Sequence, residues 1–183
     1  MVSGRRRKIR QLFEIDLKDY EEGDGISSRP SARGIIFKDE NHIALVYSQK
    51  EKYYKFPGGG IHEDEDKKTA LIREVREEVG LNVIPETIRE FGSVMRRQKS
   101  NIKEHTIFQQ ENFYYTCKTE DVVVEQELDD YEAEAEFVLR FVTLDEAIQA
   151  NAEYKSDDPF NEIMIKREKR VLEMIKEEFQ TRS

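Results

Sequence analysis

Apolar positions recur along the chain in two rhythms, and each rhythm marks a different kind of element. Ile9, Leu12, Phe13, Ile15 and Leu17 suggest an N-terminal strand. Residues 21–30, with Gly23, Gly25 and Pro30, read as a loop. Residues 32–37 and 42–47 are apolar runs separated by Lys38-Asp39-Glu40-Asn41, which predicts a hairpin with His42 as a surface residue at its turn. Further strands are expected at 82–84 and 88–95, on either side of Pro85, and at 106–116 and 137–142. Helical spacing takes over at Ala70, Leu71, Val75 and Val79, predicting a helix from near Asp66 to a C-terminal cap at Gly80. Thr143 is placed to cap another helix. Asp157-Asp158-Pro159 opens a long last one, 157–181. Phe160, Ile163, Met164, Val171, Leu172, Ile175 and Phe179 line one face of it, suited to core packing or, alternatively, to a homodimer contact. The whole reads as one domain, 1–183, with an N-terminal extension over 1–30.

Charge narrows the partners. A formal net charge of −9 speaks against a nucleic-acid polymer, whose phosphates need a basic face. A small nucleotide stays compatible, because a metal ion can supply the positive charge. The single cysteine, Cys117, excludes an internal disulfide and fits a reducing compartment. No apolar run approaches the ~20 residues of a membrane span. Arg5, Arg6, Arg7 and Lys8 are not followed by an apolar segment, so they read as a solvated tail and not a secretory signal. A cytoplasmic protein is the expectation. Residues 120–136 hold nine acidic side chains and no basic one, which predicts a solvated loop.

The helix before Gly80 carries the chemistry. Glu74 and Glu78 lie four residues apart with Glu77 between them, so three carboxylates crowd one side. Such pairs repel by roughly 0.2–0.5 kcal/mol each. Glu77 and Glu78 also face an unfavourable helix dipole worth about 0.3–1 kcal/mol each. Arg73 is placed to pair with Glu77, in the weaker order for a helix. A hard divalent cation, Mg2+ or Mn2+, is the natural compensation; a solvated acidic face is the plain alternative.

The surrounding spacing decides between them. Gly59, Glu65, Arg73-Glu74, Val75, Glu77-Glu78 and Gly80-Leu81 fill every fixed position of the pattern G-x5-E-x7-R-E-U-x-E-E-x-G-U, where U is aliphatic. The chain therefore resembles the Nudix hydrolase family. The approach Tyr53-Tyr54-Lys55-Phe56-Pro57 into Gly58, Gly59 and Gly60 is similar to the aromatic-Pro-Gly-Gly element that enters the family's box. The resemblance implies an α/β/α sandwich with a mixed β-sheet and a loop-helix-loop catalytic motif. It further implies metal-dependent hydrolysis of the pyrophosphate linkage of a nucleoside diphosphate joined to another moiety.

Carried onto this chain, Glu74, Glu77 and Glu78 hold Mg2+ and Arg73 orients the box carboxylates. Glu65 braces the loop, Gly59 permits its fold and Gly80 closes the helix. One of these glutamates, or one from the later acidic loop, orients or deprotonates water; Glu134 and Glu136 are the nearest loop candidates. Arg96, Arg97 and Lys99 form either a basic rim for phosphates or an exposed loop. Tyr53, Tyr54 and Phe56 are expected to pack and not to stack on a base. A regulatory nucleotide-binding domain without hydrolysis, or a diphosphate isomerase on the same fold, are the other readings; retention of every box carboxylate favours an enzyme. An oxidised nucleoside triphosphate, ADP-ribose or another nucleoside-diphosphate sugar, and a dinucleoside polyphosphate are all candidate substrates.

Overall fold

A computed structural model describes residues 9–180, so the basic stretch from Arg5 to Lys8 lies outside the described residues. In chain order the elements are β1 (Gln11–Asp16), β2 (Gly25–Ser28), β3 (Ser31–Ile35), β4 (Ile43–Ser48), β5 (Tyr54–Lys55), β6 (Gly58–Gly60) and α1 (Lys67–Val79). They continue with β7 (Leu81–Val83), β8 (Arg89–Lys99), β9 (Thr106–Thr116), β10 (Thr119–Val123), α2 (Asp130–Glu134), β11 (Phe137–Val142), α3 (Leu144–Glu153) and α4 (Pro159–Gln180). The main sheet is mixed, in the order β1-β8-β9-β3-β6, with β2 also along β9. A second sheet runs β11-β4-β5, and β7 pairs with β10.

The expected hairpin over 32–47 is only partly formed. Phe37 and Ile43 make an isolated antiparallel bridge, and Ala44 N donates to Ile36 O at 2.8 Å. Beyond that turn the strands part. β3 pairs with β9 and β6 in one sheet, whereas β4 pairs with β11 and β5 in the other. Both strands are covered on both faces, so their apolar runs carry no alternation that would reveal the partner. Two expected loops also contain structure. Residues 21–30 include β2, an exposed strand without an apolar face, parallel to β9. The acidic stretch 120–136 includes most of β10 and all of α2, whose backbone pairs while most of its charged side chains, Glu132 excepted, face water.

Helices cover the main sheet on both sides. α1 buries Ala70, Leu71, Val75 and Val79 against Ala32, Phe113 and Tyr115. On the opposite side Ala147 of α3 and Val171, Leu172 and Ile175 of α4 pack on Ile35, Val94 and Tyr114. Each fully buried aliphatic side chain stabilises by about 1.5–3 kcal/mol, so a charge placed at Val75 would undo the α1 layer. This is the expected α/β/α sandwich. The apolar stripe of α4 thus largely serves the core. No helix among the described residues is long and apolar enough to cross a membrane.

Candidate active site

The chain enters the site along β5, a strand of two residues with only β4 as a strand neighbour. Its other edge is taken by Asn151 of α3. Asn151 Nδ2 donates to Tyr54 O, and Tyr54 N donates to Asn151 Oδ1, both at 2.8 Å. Two residues on, Phe56 N donates to Glu168 Oε2 of α4 at 2.7 Å. Tyr53, Tyr54 and Phe56 are all buried, as the packing expectation required. After Pro57, Gly58 adopts φ 138°, where a side chain would run into the backbone of Ala32 and Arg33.

α1 is set by its ends. Asp66 caps it, accepting from Lys68 N at 2.9 Å and Thr69 N at 3.2 Å. Gly80 closes it at φ 69°, with its N–H on Arg76 O. Between them Arg73 gathers the box. Its Nε and Nη2 donate to Glu65 at 2.9 and 2.8 Å, and its Nη1 to Glu74 and Glu77 at 2.7 and 3.1 Å. Nη2 also reaches Gly60 O at 3.0 Å, tying the loop to the helix. The hydrogen bonds from Arg73 hold the Glu65 carboxyl below the usual carboxylate range. Glu74 is shifted the other way: burial raises it, Arg73 opposes, and the charges of Glu78 and Glu77 add to the rise. A methyl group at Gly59 would collide with the Glu74 carboxylate, which explains the glycine.

Glu78 is only 1% exposed and lies beyond the reach of Arg73. Its Oε2 accepts from Gly58 N at 2.9 Å. Its Oε1 has the Lys55 ammonium 2.5 Å away but no hydrogen bond directed at it. The same ammonium sits 4.1 Å from the centroid of the Phe137 ring.

The C-terminal carbonyls of α1 anchor the acidic loop. Glu127 N donates to Glu77 O at 2.7 Å, Gln126 Nε2 to Glu78 O at 2.5 Å and Val124 N to Gly80 O at 2.8 Å. From this anchored segment α2 projects Glu132 toward the box. Burial first, and the Glu78 charge second, push the Glu132 carboxyl up to about 7. Glu134 is exposed and pairs with Lys50 at 3.3 Å, and Glu136 is exposed in a left-handed turn. The loop acid coupled to the box is therefore Glu132 and neither of the two expected. Its sequence signal is a capping box, Asp129-x-x-Glu132, which fixes its side chain.

Arg96 and Arg97 share no rim. Neighbouring residues of β8 point to opposite faces. Arg96 is buried under α4, donating to Gln98 Oε1 and Phe160 O at 2.7 Å each, and burial pulls its guanidinium down to about 9. Arg97 binds Gln109 and Glu14, each at 2.9 Å. Lys55, Glu132, Asn151 and Glu168 are the working residues that spacing missed.

Among the described residues no three acidic, histidine or cysteine side chains already converge as a metal-binding group. The donors are nonetheless hard carboxylate oxygens on one helix face, and Glu78 Oε1 keeps its lone pairs free of any directed bond. They fit a hard divalent cation.

Residues 27–163 match the NUDIX domain model, and the chain belongs to the Nudix family. A curated relative, the 8-oxo-dGTP diphosphatase of Buchnera aphidicola subsp. Schizaphis graminum (strain Sg), is 42% identical over 55 residues, covering 28% of this chain and 42% of the relative. The match thus spans less than half the length of that protein. Among solved structures, a NUDIX hydrolase from Nitrosomonas europaea shares the fold with a TM-score of 0.50 at 16% identity, over 77% of this chain and 89% of its own. A MutT NUDIX hydrolase from Burkholderia pseudomallei gives a TM-score of 0.47 at 18% identity, over 65% and 85%.

Proposed function

We propose that this single-domain protein is a metal-dependent hydrolase of the pyrophosphate linkage in a nucleoside diphosphate joined to another moiety. The observation that carries the reading is the box face itself: three glutamates around one arginine, with a buried carboxylate oxygen that no hydrogen bond claims. Glu74, Glu77 and Glu78 would hold Mg2+ or Mn2+. Bound there, the ion would neutralise phosphoryl oxygens and lower the pKa of bound water.

The chain's own groups supply the rest. Arg73 fixes the directions of Glu74 and Glu77 and leaves Glu78 to the interior. Glu65 fixes Arg73 in turn, through two hydrogen bonds. Glu132, with a protonation midpoint near neutrality, is the carboxylate suited to take a proton from the attacking water. Glu134 and Glu136, the loop acids read from sequence, face solvent.

Nucleoside triphosphates head the substrate classes, since the matched relative is an 8-oxo-dGTP diphosphatase. ADP-ribose or another nucleotide sugar and dinucleoside polyphosphates follow. A screen of these compounds with Mg2+ and product identification tests the reading. Cleaved phosphoanhydride, absent in Glu78→Gln, is the expected result. An intact ligand would favour a regulatory binding domain, and a rearranged diphosphate an isomerase.

A further inference from the structure

Of the box carboxylates, Glu78 alone has a counter-ion from outside the box. Arg73 spends its donors on Glu65, Glu74, Glu77 and Gly60 O. Lys55 comes from β5, on the opposite side of the glycine turn, and is 8% exposed. Its neighbours Tyr54 and Phe56 point into the α3 and α4 core, so alternation along the strand turns Lys55 toward α1. There the Phe137 ring supports the ammonium, and Glu78 Oε1 is 2.5 Å away. Lys55 and Glu78 form a close, buried ion pair.

A tethered cation at this place has two consequences. It neutralises a carboxylate that would otherwise be buried with no charge partner before any metal ion arrives. It also stands at an oxygen a metal ion must share. Two cations drawn to one carboxylate oppose each other, and the opposition is reciprocal. We propose that Lys55 is a positioning residue that acts as the resident counter-ion of Glu78, standing in for the divalent cation when none is bound and weakening its affinity when one is. The inference rests on the assignment of Glu78 to the metal under the proposed function.

The test measures Mn2+ binding to the full chain without substrate, by paramagnetic resonance of the free ion and by calorimetry. Wild type, Lys55→Met, Lys55→Gln, Lys55→Arg and Glu78→Gln are compared. The Met and Gln variants should bind Mn2+ with a Kd at least about fivefold lower than wild type, and the Arg variant should stay near wild type. Without metal the Met variant should melt at a lower temperature, and added Mn2+ should raise its Tm by more than it raises that of wild type. A merely structural lysine would weaken metal binding when lost, never tighten it. Should Lys55→Met fail to fold, Lys55→Gln, which keeps a donor for Glu78, gives the same reading. Loss of binding in Glu78→Gln, with unchanged or weaker binding in both Lys55→Met and Lys55→Gln, overturns the counter-ion role alone. Wild-type binding in Glu78→Gln overturns it together with the assignment of Glu78 to the metal.

Discussion

Two charge clusters lie on either side of Gly58, and their compositions are opposite. On the α1 side, Glu65, Glu74, Glu77 and Glu78 face Arg73 and Lys55, four acids against two bases. On the α4 side, Arg167 pairs with Glu168, the Arg33 charge also acts on that carboxylate, and Arg96 lies near both arginines, three buried bases to one buried acid. Gly58 joins them: its N–H donates to Glu78 Oε2 at 2.9 Å, and its carbonyl accepts from Arg33 Nη1 at 3.2 Å. The base-rich cluster is sealed, with all four members at 7% exposure or less. Burial works against ionised Glu168, but Arg167 and Arg33 hold its carboxyl below the usual range. That carboxylate accepts from Tyr114 Oη, Arg167 and Phe56 N, so it braces the strand entering the site. The acid-rich cluster is partly open, and its four carboxylates outnumber the two bases that pair with them. A partly open surplus of hard carboxylate oxygens suits a cation, whereas a sealed carboxylate paired with Arg167 is a brace.

The sharpest way to separate the two is Glu78→Gln. Metal-dependent turnover should fall by about three orders of magnitude, while the glutamine keeps the Gly58 contact and circular dichroism stays that of the wild type. Retained turnover in the folded variant would break the comparison. Glu168→Leu should do the reverse. It strands buried Arg167 without its carboxylate and should cost about 3–5 kcal/mol in urea unfolding, with metal affinity unchanged where the variant is folded. Gly59→Ala, which pushes the Glu74 carboxylate aside, should lower kcat about 10- to 100-fold with little change in Tm.

A smaller effect separates acids within the open cluster. Glu132 titrates near 7 in the folded chain and near 4.5 when unfolded, so between those values the folded chain binds the extra proton. Its contribution to stability is therefore greatest below about 4.5 and declines as pH rises through 7. Glu65 has the opposite sign: its contribution is present above its unfolded pKa and fades on acidification. Unfolding free energies of wild type minus Glu132→Gln, measured from pH 4 to 8, should show the first slope alone. Smallest of all, Glu134→Gln should alter stability by less than about 0.5 kcal/mol and leave turnover unchanged.

The same contrast explains what the chain discloses in one dimension. The four acids of the open cluster and Arg73 fall within residues 65–78, largely on one helix, so their spacing and repulsion are both visible in sequence. The brace is assembled from positions 33, 96, 167 and 168, which meet only after β3, β8 and α4 have packed. Arg96 next to Arg97 therefore reads as a basic rim, although pleating sends the two to opposite faces. Glu132 was hidden for another reason. Nine acids in one stretch look alike, and only the short turn of α2 selects the one that leans inward. The hairpin over 32–47 misled because strands buried on both faces carry no alternation to name their neighbours.

Asn151 has a consequence of its own. A carboxamide has the donor and acceptor of a peptide group, and here it lends them to the open side of a strand two residues long. A fourth strand at that edge would have to continue alongside Phe56 and Pro57 and would crowd the glycine turn. Ending the sheet with a side chain leaves the following backbone free to bend at once, and keeps the strand's margin covered.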